Sequence, residues 1–204
     1  MNTEEIKDKL SKIALKFQDE IFSFIDYYCW IGGGAIVDLV IFNKITHDYD
    51  IFFPASSIDD LLKTLRKFEK SGISDFVSIE DHIFSFMWRG KKINLVCKLI
   101  CDDVYEFIRF CDLSVSSIAI DSLNHIYMSS SWFDDISNMK IRLGTIMYPL
   151  QTLKRIIKYT RKGFTIEDEE LVNFINQFVN ILSFEIPEEY RSKIIHNLKQ
   201  GLQL

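Results

Sequence analysis

The sequence predicts an α+β fold: helices at both ends and a small mixed sheet between them. Three observations predict it. Apolar side chains recur at helical spacing over residues 3–25 and again from Pro149 onward. Short β-branched and aromatic runs cut by turn residues fill residues 76–99. Three glycines stand side by side at Gly32, Gly33 and Gly34, between a strand-like and a helix-like run. That run is unusual here. Ordinary usage puts Gly plus Pro at roughly 12% of a chain, whereas these 204 residues contain 8 Gly and 3 Pro.

The elements read in order. Ile6, Leu10, Ile13, Phe17, Ile21, Phe24 and Ile25 make one apolar stripe of a helix over residues 3–25. Tyr28–Ile31 reads as a short buried strand stopped by the glycines, and Ala35–Phe42 as a helix after them. Tyr49–Phe53 is a strand ended by Pro54. Ser56–Lys70 is an amphipathic helix with Ile58, Leu61, Leu62, Leu65 and Phe68 inward, opening on Ser56 or Ser57 with acids in its first turn. Phe76–Ile79, Ile83–Trp88 and Ile93–Leu99 are strands, the last two joined through Arg89-Gly90-Lys91-Lys92 as a hairpin. Val104–Phe110 reads as a helix, Ser116–Asp121 and His125–Ser129 as strands. Asp168–Leu182 and Pro187–Leu204 are the closing helices.

Composition excludes several classes. With 48% hydrophobic and 26% charged residues, the chain has enough apolar surface to offset its entropy, so it is not disordered. No apolar run approaches a membrane span and no signal-type segment stands at the start, so a cytoplasmic protein with free thiols is expected. Cys97 and Cys101 lack the second ligand pair of a zinc site. The net charge of −5 argues against a general nucleic-acid coat. Charge is uneven, however. Residues 1–150 hold 16 basic and 22 acidic side chains, a net of −6. Residues 151–165 hold Lys154, Arg155, Lys158, Arg161 and Lys162 and no acid. On a helix these five fall within an arc of about 120°, with Leu150, Leu153, Ile156 and Ile157 mainly on the other side. Such a stripe suits a triphosphate or an RNA backbone, or is a solvated face.

Two local patterns carry chemistry. Three glycines allow positive φ and close approach of the backbone to a ligand. The helix behind them offers unpaired amides and a positive dipole end. Asp48 and Asp50 flank Tyr49 at the start of a strand, and residues two apart on a strand point to one side. Two adjacent carboxylates are costly unless a cation neutralises them, and the pair suits Mg²⁺ or Mn²⁺. His47 adjoins the pair; His82, His125 and His196 show no evident partner.

The block Trp30-Ile31-Gly32-Gly33-Gly34-Ala35-Ile36-Val37-Asp38, then Asp48-Tyr49-Asp50-Ile51, resembles the nucleotidyltransferase superfamily of DNA polymerase β. The spacing is most similar to the head of class II CCA-adding enzymes and bacterial poly(A) polymerases. Phe110–Ser116 and the Pro149–Glu167 stretch resemble later motifs of the same group. The resemblance implies a nucleotidyltransferase-type mixed sheet with flanking helices over residues 1–145 and a helical neck over 146–204. It implies transfer of NMP from an NTP to an acceptor hydroxyl, with RNA or a tRNA 3′ end as the partner. Asp48 and Asp50 would hold the metal. Asp48, Asp50 and Asp112 would form the catalytic set. Gly32, Gly33, Gly34, Arg109, Lys154, Arg155 and Lys158 would bind nucleotide. The sequence also departs from that pattern. Val37 stands where the glycine motif has Arg, and Phe110 and Cys111 where a later motif has an Arg pair. Asn94 stands at the position of a third metal carboxylate. These departures leave open a second reading, a nucleotidyltransferase fold that binds nucleotide or a partner without turnover.

Overall fold

The structure is a computed structural model that describes residues 1–44, 48–73, 75–80, 83–97 and 101–183. The chain divides into two units, Met1–Met147 and Tyr148–Leu204. Among the described residues the first unit holds one seven-stranded sheet with five α-helices. Helix α1 (Thr3–Glu20) starts at a capping box: the Asn2 side chain accepts the Glu5 amide, and Glu5 accepts the Asn2 amide. It stops at Glu20, short of the expected residue 25, and Phe22–Phe24 form a separate 3-10 turn.

The next elements are β1 (Trp30–Gly32), α2 (Gly34–Phe42), β2 (Asp48–Phe52), α3 (Ile58–Lys70), β3 (Asp75–Glu80), β4 (Ile83–Trp88) and β5 (Lys91–Val96). After them come α4 (Val104–Phe110), β6 (Ile118–Asp121), β7 (Ile126–Met128) and α5 (Trp132–Ser137). The sheet order is β3-β4-β5-β2-β1-β6-β7, with β2 and β5 parallel and the other pairs antiparallel. The fold class is therefore the expected α+β. The expected Ser cap of α3 is replaced by a 3-10 turn at Ala55–Ser57, without a capping side chain. Arg89 and Gly90 both take positive φ, 48° and 73°, which makes the two-residue turn favoured between antiparallel strands. The Arg89 guanidinium lies 4.4 Å above the Trp88 ring.

Side-chain parity splits the sheet into two faces. Tyr49, Ile93 and Phe86 are register partners on one face. Phe17 of α1 meets Tyr49 edge-on at 5.8 Å, and Phe68 of α3 meets Phe86 at 5.2 Å. Phe68 also packs 4.9 Å from Trp88, whose indole N–H donates to Ser71 at 2.8 Å. Burying such rings is worth about 2–3 kcal/mol each, so this face carries much of the stability. Trp30, Phe52 and Ala119 belong to the other face, where Phe107 of α4 covers them. Helix α4 also packs against β7, where Tyr105 meets the Tyr127 ring edge-on at 5.3 Å. Toward the far end of β2, Asp48 and Asp50 on the same face remain exposed.

The second unit is described by itself. It contains α6 (Pro149–Thr160) and α7 (Asp168–Ser183); the expected helix over Pro187–Leu204 lies outside the described residues. The buried stripe of α6 is Thr152, Ile156 and Tyr159. Leu150 and Ile157, expected inward, are exposed. Thr152 can take an inward position because its hydroxyl donates to the Tyr148 carbonyl at 3.2 Å. Among the described residues no helix is long and apolar enough to cross a membrane.

Candidate active site

The site follows from register. In the parallel pairing of β2 and β5, Asp48 lies opposite Lys92 and Asp50 opposite Asn94. In the antiparallel pairing of β4 and β5, Ser85 lies opposite Asn94. Asp48, Asp50, Lys92, Asn94 and Ser85 therefore share one face. The Asn94 Nδ2 group donates to Asp48 Oδ1 at 2.8 Å and to Asp50 Oδ1 at 2.7 Å. Both carboxylates thus aim an oxygen at a single point. Lys92 Nζ stands 3.8 Å from Asp48 Oδ2, a half-exposed pair that offsets part of the charge. Behind this group, Ser85 Oγ donates to Asn94 Oδ1 at 2.7 Å, and both residues are buried.

The glycines stand at the same end of the sheet. Strand β1 runs antiparallel to β2, with Ile31 opposite Ile51, so Gly32 and Gly33 follow toward the end bearing Asp50 and Asp48. Gly33 has φ 73° and ψ −133°, a conformation essentially reserved for glycine. Its amide donates to the Ile118 carbonyl, and its carbonyl accepts the Ile36 and Val37 amides. Gly34 and Ala35, in the first turn of α2, have no helical carbonyl four residues back, which leaves their amides to the outside. Gly32 is glycine for a different reason. A Cβ there would come within 2.4 Å of the Phe107 ring. Val37, where the resembled motif has Arg, is buried.

The remaining expected site residues are placed as follows. Asp112 is buried in the turn after α4, where its carbonyl accepts the Gly144 amide. Among the described residues no three Asp, Glu, His or Cys side chains gather into a metal-holding cluster, so Asp112 does not complete a triad with Asp48 and Asp50. Arg109 is exposed in the last turn of α4. Lys154, Arg155 and Lys158 are exposed on α6, in the second unit. His47 lies outside the described residues, as do His82 and His196. His125, expected to stand alone, has a partner: its Nδ1 is 3.3 Å from Asp121 Oδ2, and the Tyr127 hydroxyl donates to the same oxygen at 3.1 Å. Burial and the Asp121 carboxylate hold the neighbouring Tyr28 phenol well above the usual tyrosine range. Burial, then Glu20, pushes Tyr49 up to about 12.

Sequence reasoning missed Ser85 and Lys92. Their signal is the alternation along β4 and β5, which becomes readable only once the pairing of β5 with β2 is fixed.

No family profile and no curated protein sequence matches this chain. Solved structures do. A Thermotoga maritima CCA-adding enzyme complexed with tRNA aligns with a TM-score of 0.55 and 14% identity, covering 85% of this chain and 44% of that one. A tRNA-processing enzyme with CTP gives 0.58 and 16%, covering 95% and 56%. A CCA-adding enzyme with ATP gives 0.55 and 17%, covering 95% and 49%. The chain thereby shares the fold of these CCA-adding and tRNA-processing structures, a nucleotidyltransferase fold. The chain spans about half the length of the structures it resembles.

Proposed function

We propose that the chain is a cytoplasmic, metal-dependent nucleotidyltransferase that moves NMP from an NTP to an acceptor hydroxyl, with an RNA or tRNA 3′ end as the acceptor. The observation that carries this reading is the convergence of Asp48 Oδ1 and Asp50 Oδ1 on one point. It lies at the end of the sheet where the Gly32–Gly34 turn opens α2.

The donors fit the implied ion. Two carboxylates that converge on one point supply oxygen ligands of the kind Mg²⁺ and Mn²⁺ prefer. A bound divalent ion would neutralise phosphate charge and lower the pKa of an attacking hydroxyl. Asp48 and Asp50 would hold it. The Gly34 and Ala35 amides would face the triphosphate, aided by the positive end of α2. Arg109 and the cations of α6, Lys154, Arg155 and Lys158, would contribute charge to nucleotide or RNA binding. The protein's contribution is positioning and charge compensation, as in other phosphoryl transfers.

One observation favours a second reading, nucleotide binding without turnover. The place of a third carboxylate is taken by Asn94, and Asp112 does not join the pair. Incubation with Mg²⁺, each labelled NTP in turn and total tRNA separates the two. Label transfer that disappears in Asp48→Ala/Asp50→Ala supports the enzyme. NTP binding without transfer to RNA, protein or a small molecule supports the second reading and overturns the first.

A further inference from the structure

The Asn94 amide occupies the point on which both carboxylates converge. Its Nδ2 lies 2.8 and 2.7 Å from the two Oδ1 atoms. An amide oxygen placed there would repel both carboxylates, so the chemistry requires the nitrogen side to face them. Its two N–H bonds satisfy two anions at once, which offsets part of their mutual repulsion. The same group would oppose a cation, because Nδ2 presents hydrogens rather than a lone pair to that point.

The partner behind Asn94 removes the conflict. Ser85 Oγ donates to Asn94 Oδ1 at 2.7 Å, and both side chains are buried between β4 and β5. A hydroxyl both donates and accepts, and its hydrogen rotates freely. If the amide turns half a revolution about its terminal torsion, Oδ1 faces the carboxylates and Nδ2 faces Ser85. Ser85 then accepts where it had donated. That torsion is broad and two-fold, so both orientations are rotamerically allowed. An aspartate at position 94 would lack this alternation, and an alanine at position 85 would leave both orientations without their partner behind the site.

We infer that Asn94 and Ser85 form a reversible amide latch at the divalent-cation position. Without the cation, Asn94 Nδ2 clamps Asp48 and Asp50 together. With it, the amide is turned and Asn94 Oδ1 becomes a neutral third ligand. This inference rests on the metal-binding reading above and adds a regulated, weaker site to it. With two ligand charges in place of three, cation binding competes against the clamp and becomes sensitive to the free cation concentration.

The test is binding, not turnover. Mn²⁺ binding to the full chain is followed by its electron paramagnetic resonance signal. It is compared in the wild type, Asn94→Ala and Asn94→Asp, with circular dichroism to confirm that each is folded. The latch predicts that Asn94→Asp binds Mn²⁺ at least about 10-fold more tightly, since it adds an anionic ligand and removes the clamp. Asn94→Ala removes the clamp and the neutral ligand together, two opposed effects, and serves to assign the side-chain amide signal. In the ¹⁵N spectrum, the side-chain amide pair absent from Asn94→Ala should move upfield on Mg²⁺ addition, as carboxylate partners are exchanged for a hydroxyl. Wild-type Mn²⁺ binding with no tightening in Asn94→Asp overturns the latch and leaves the metal reading standing. A static amide pair under saturating Mg²⁺ does the same. If neither the wild type nor Asn94→Asp binds Mn²⁺, the metal reading fails and the latch with it.

Discussion

Gly32→Ala measures how tightly the glycine turn is built into the sheet. A methyl group at position 32 would lie 2.4 and 2.5 Å from two atoms of the Phe107 ring and 3.3 Å from the Ile118 carbonyl oxygen. Carbon atoms rest about 3.5–4.0 Å apart, so the ring must retreat by about 1 Å or more. It has little room to do so. The Phe52 ring lies 4.6 Å away and the Trp30 ring 6.3 Å away, and Trp30 is fully buried. Overpacking of this kind costs about 1–3 kcal/mol, a sizeable part of the roughly 5–15 kcal/mol that holds a domain folded. The assay is urea unfolding at neutral pH of the wild type, Gly32→Ala, Phe107→Leu and the double variant. Because the smaller side chain makes space for the methyl, the double variant should be at least about 1 kcal/mol more stable than the sum of the singles predicts. An additive cycle, or a Gly32→Ala protein within about 0.5 kcal/mol of the wild type, would refute the packing argument.

Gly33→Ala should cost about 1–3 kcal/mol by backbone strain alone, since φ is 73° and the nearest atoms of Ser116 stand off at 3.9 Å. NTP affinity, read by calorimetry, should fall with it. Tyr49→Phe should be neutral or slightly stabilising in thermal melts at pH 7, because its buried hydroxyl has no hydrogen-bond partner. The phenol pKa is raised in the folded state to about 12, so its contribution is intact below about pH 10 and is lost as pH rises toward 12. That loss reaches about 2.7 kcal/mol for a two-unit rise, and Tyr49→Phe should show a correspondingly shallower decline in alkaline urea titrations. Arg142→Ala should cost about 3 kcal/mol in urea unfolding, because it strands the fully buried Asp135, whose Oδ1 lies 3.3 Å from the Arg142 Nε. Adding Asp135→Asn should recover at least half of that loss, and no recovery would show that the charge is not the cause.

The parts of this protein legible in its sequence are those fixed by local rules. A glycine run between a strand and a helix, and two aspartates two apart on a strand, place their groups whatever lies around them. The Asn94 position was legible through family spacing, but its bond to both carboxylates depends on the parallel register of β2 and β5, which no local pattern encodes. Ser85 and Lys92 were hidden for the same reason. Helix α5 was missed because Trp132–Ser137 is a six-residue helix whose buried apolar positions, Trp132 and Ile136, show one turn of spacing only. The face of α6 was misread because hydrophobicity alone put Leu150 and Ile157 inward. Packing instead selects Thr152, Ile156 and Tyr159, with the Thr152 hydroxyl satisfied inside its own helix. Whether the cations of α6 and of its C-cap, Arg161, meet RNA is a separate question, answered by charge reversal. Lys158→Glu/Arg161→Glu should weaken RNA binding at low salt and flatten its salt dependence by about two charges, whereas unchanged affinity would make the stripe a solvated face.

The central claim is that Asp48 and Asp50 direct NMP transfer, and the fate of the two ends of the NTP tests it most directly. Parallel reactions carry NTP labelled on the α- or the γ-phosphate, with Mg²⁺ and total tRNA. The account predicts α-label in RNA and γ-label released as pyrophosphate, both abolished in Asp48→Asn/Asp50→Asn with no loss of thermal stability. Release of γ-label as free phosphate without α-label in RNA, or transfer that persists in the double variant, would contradict it.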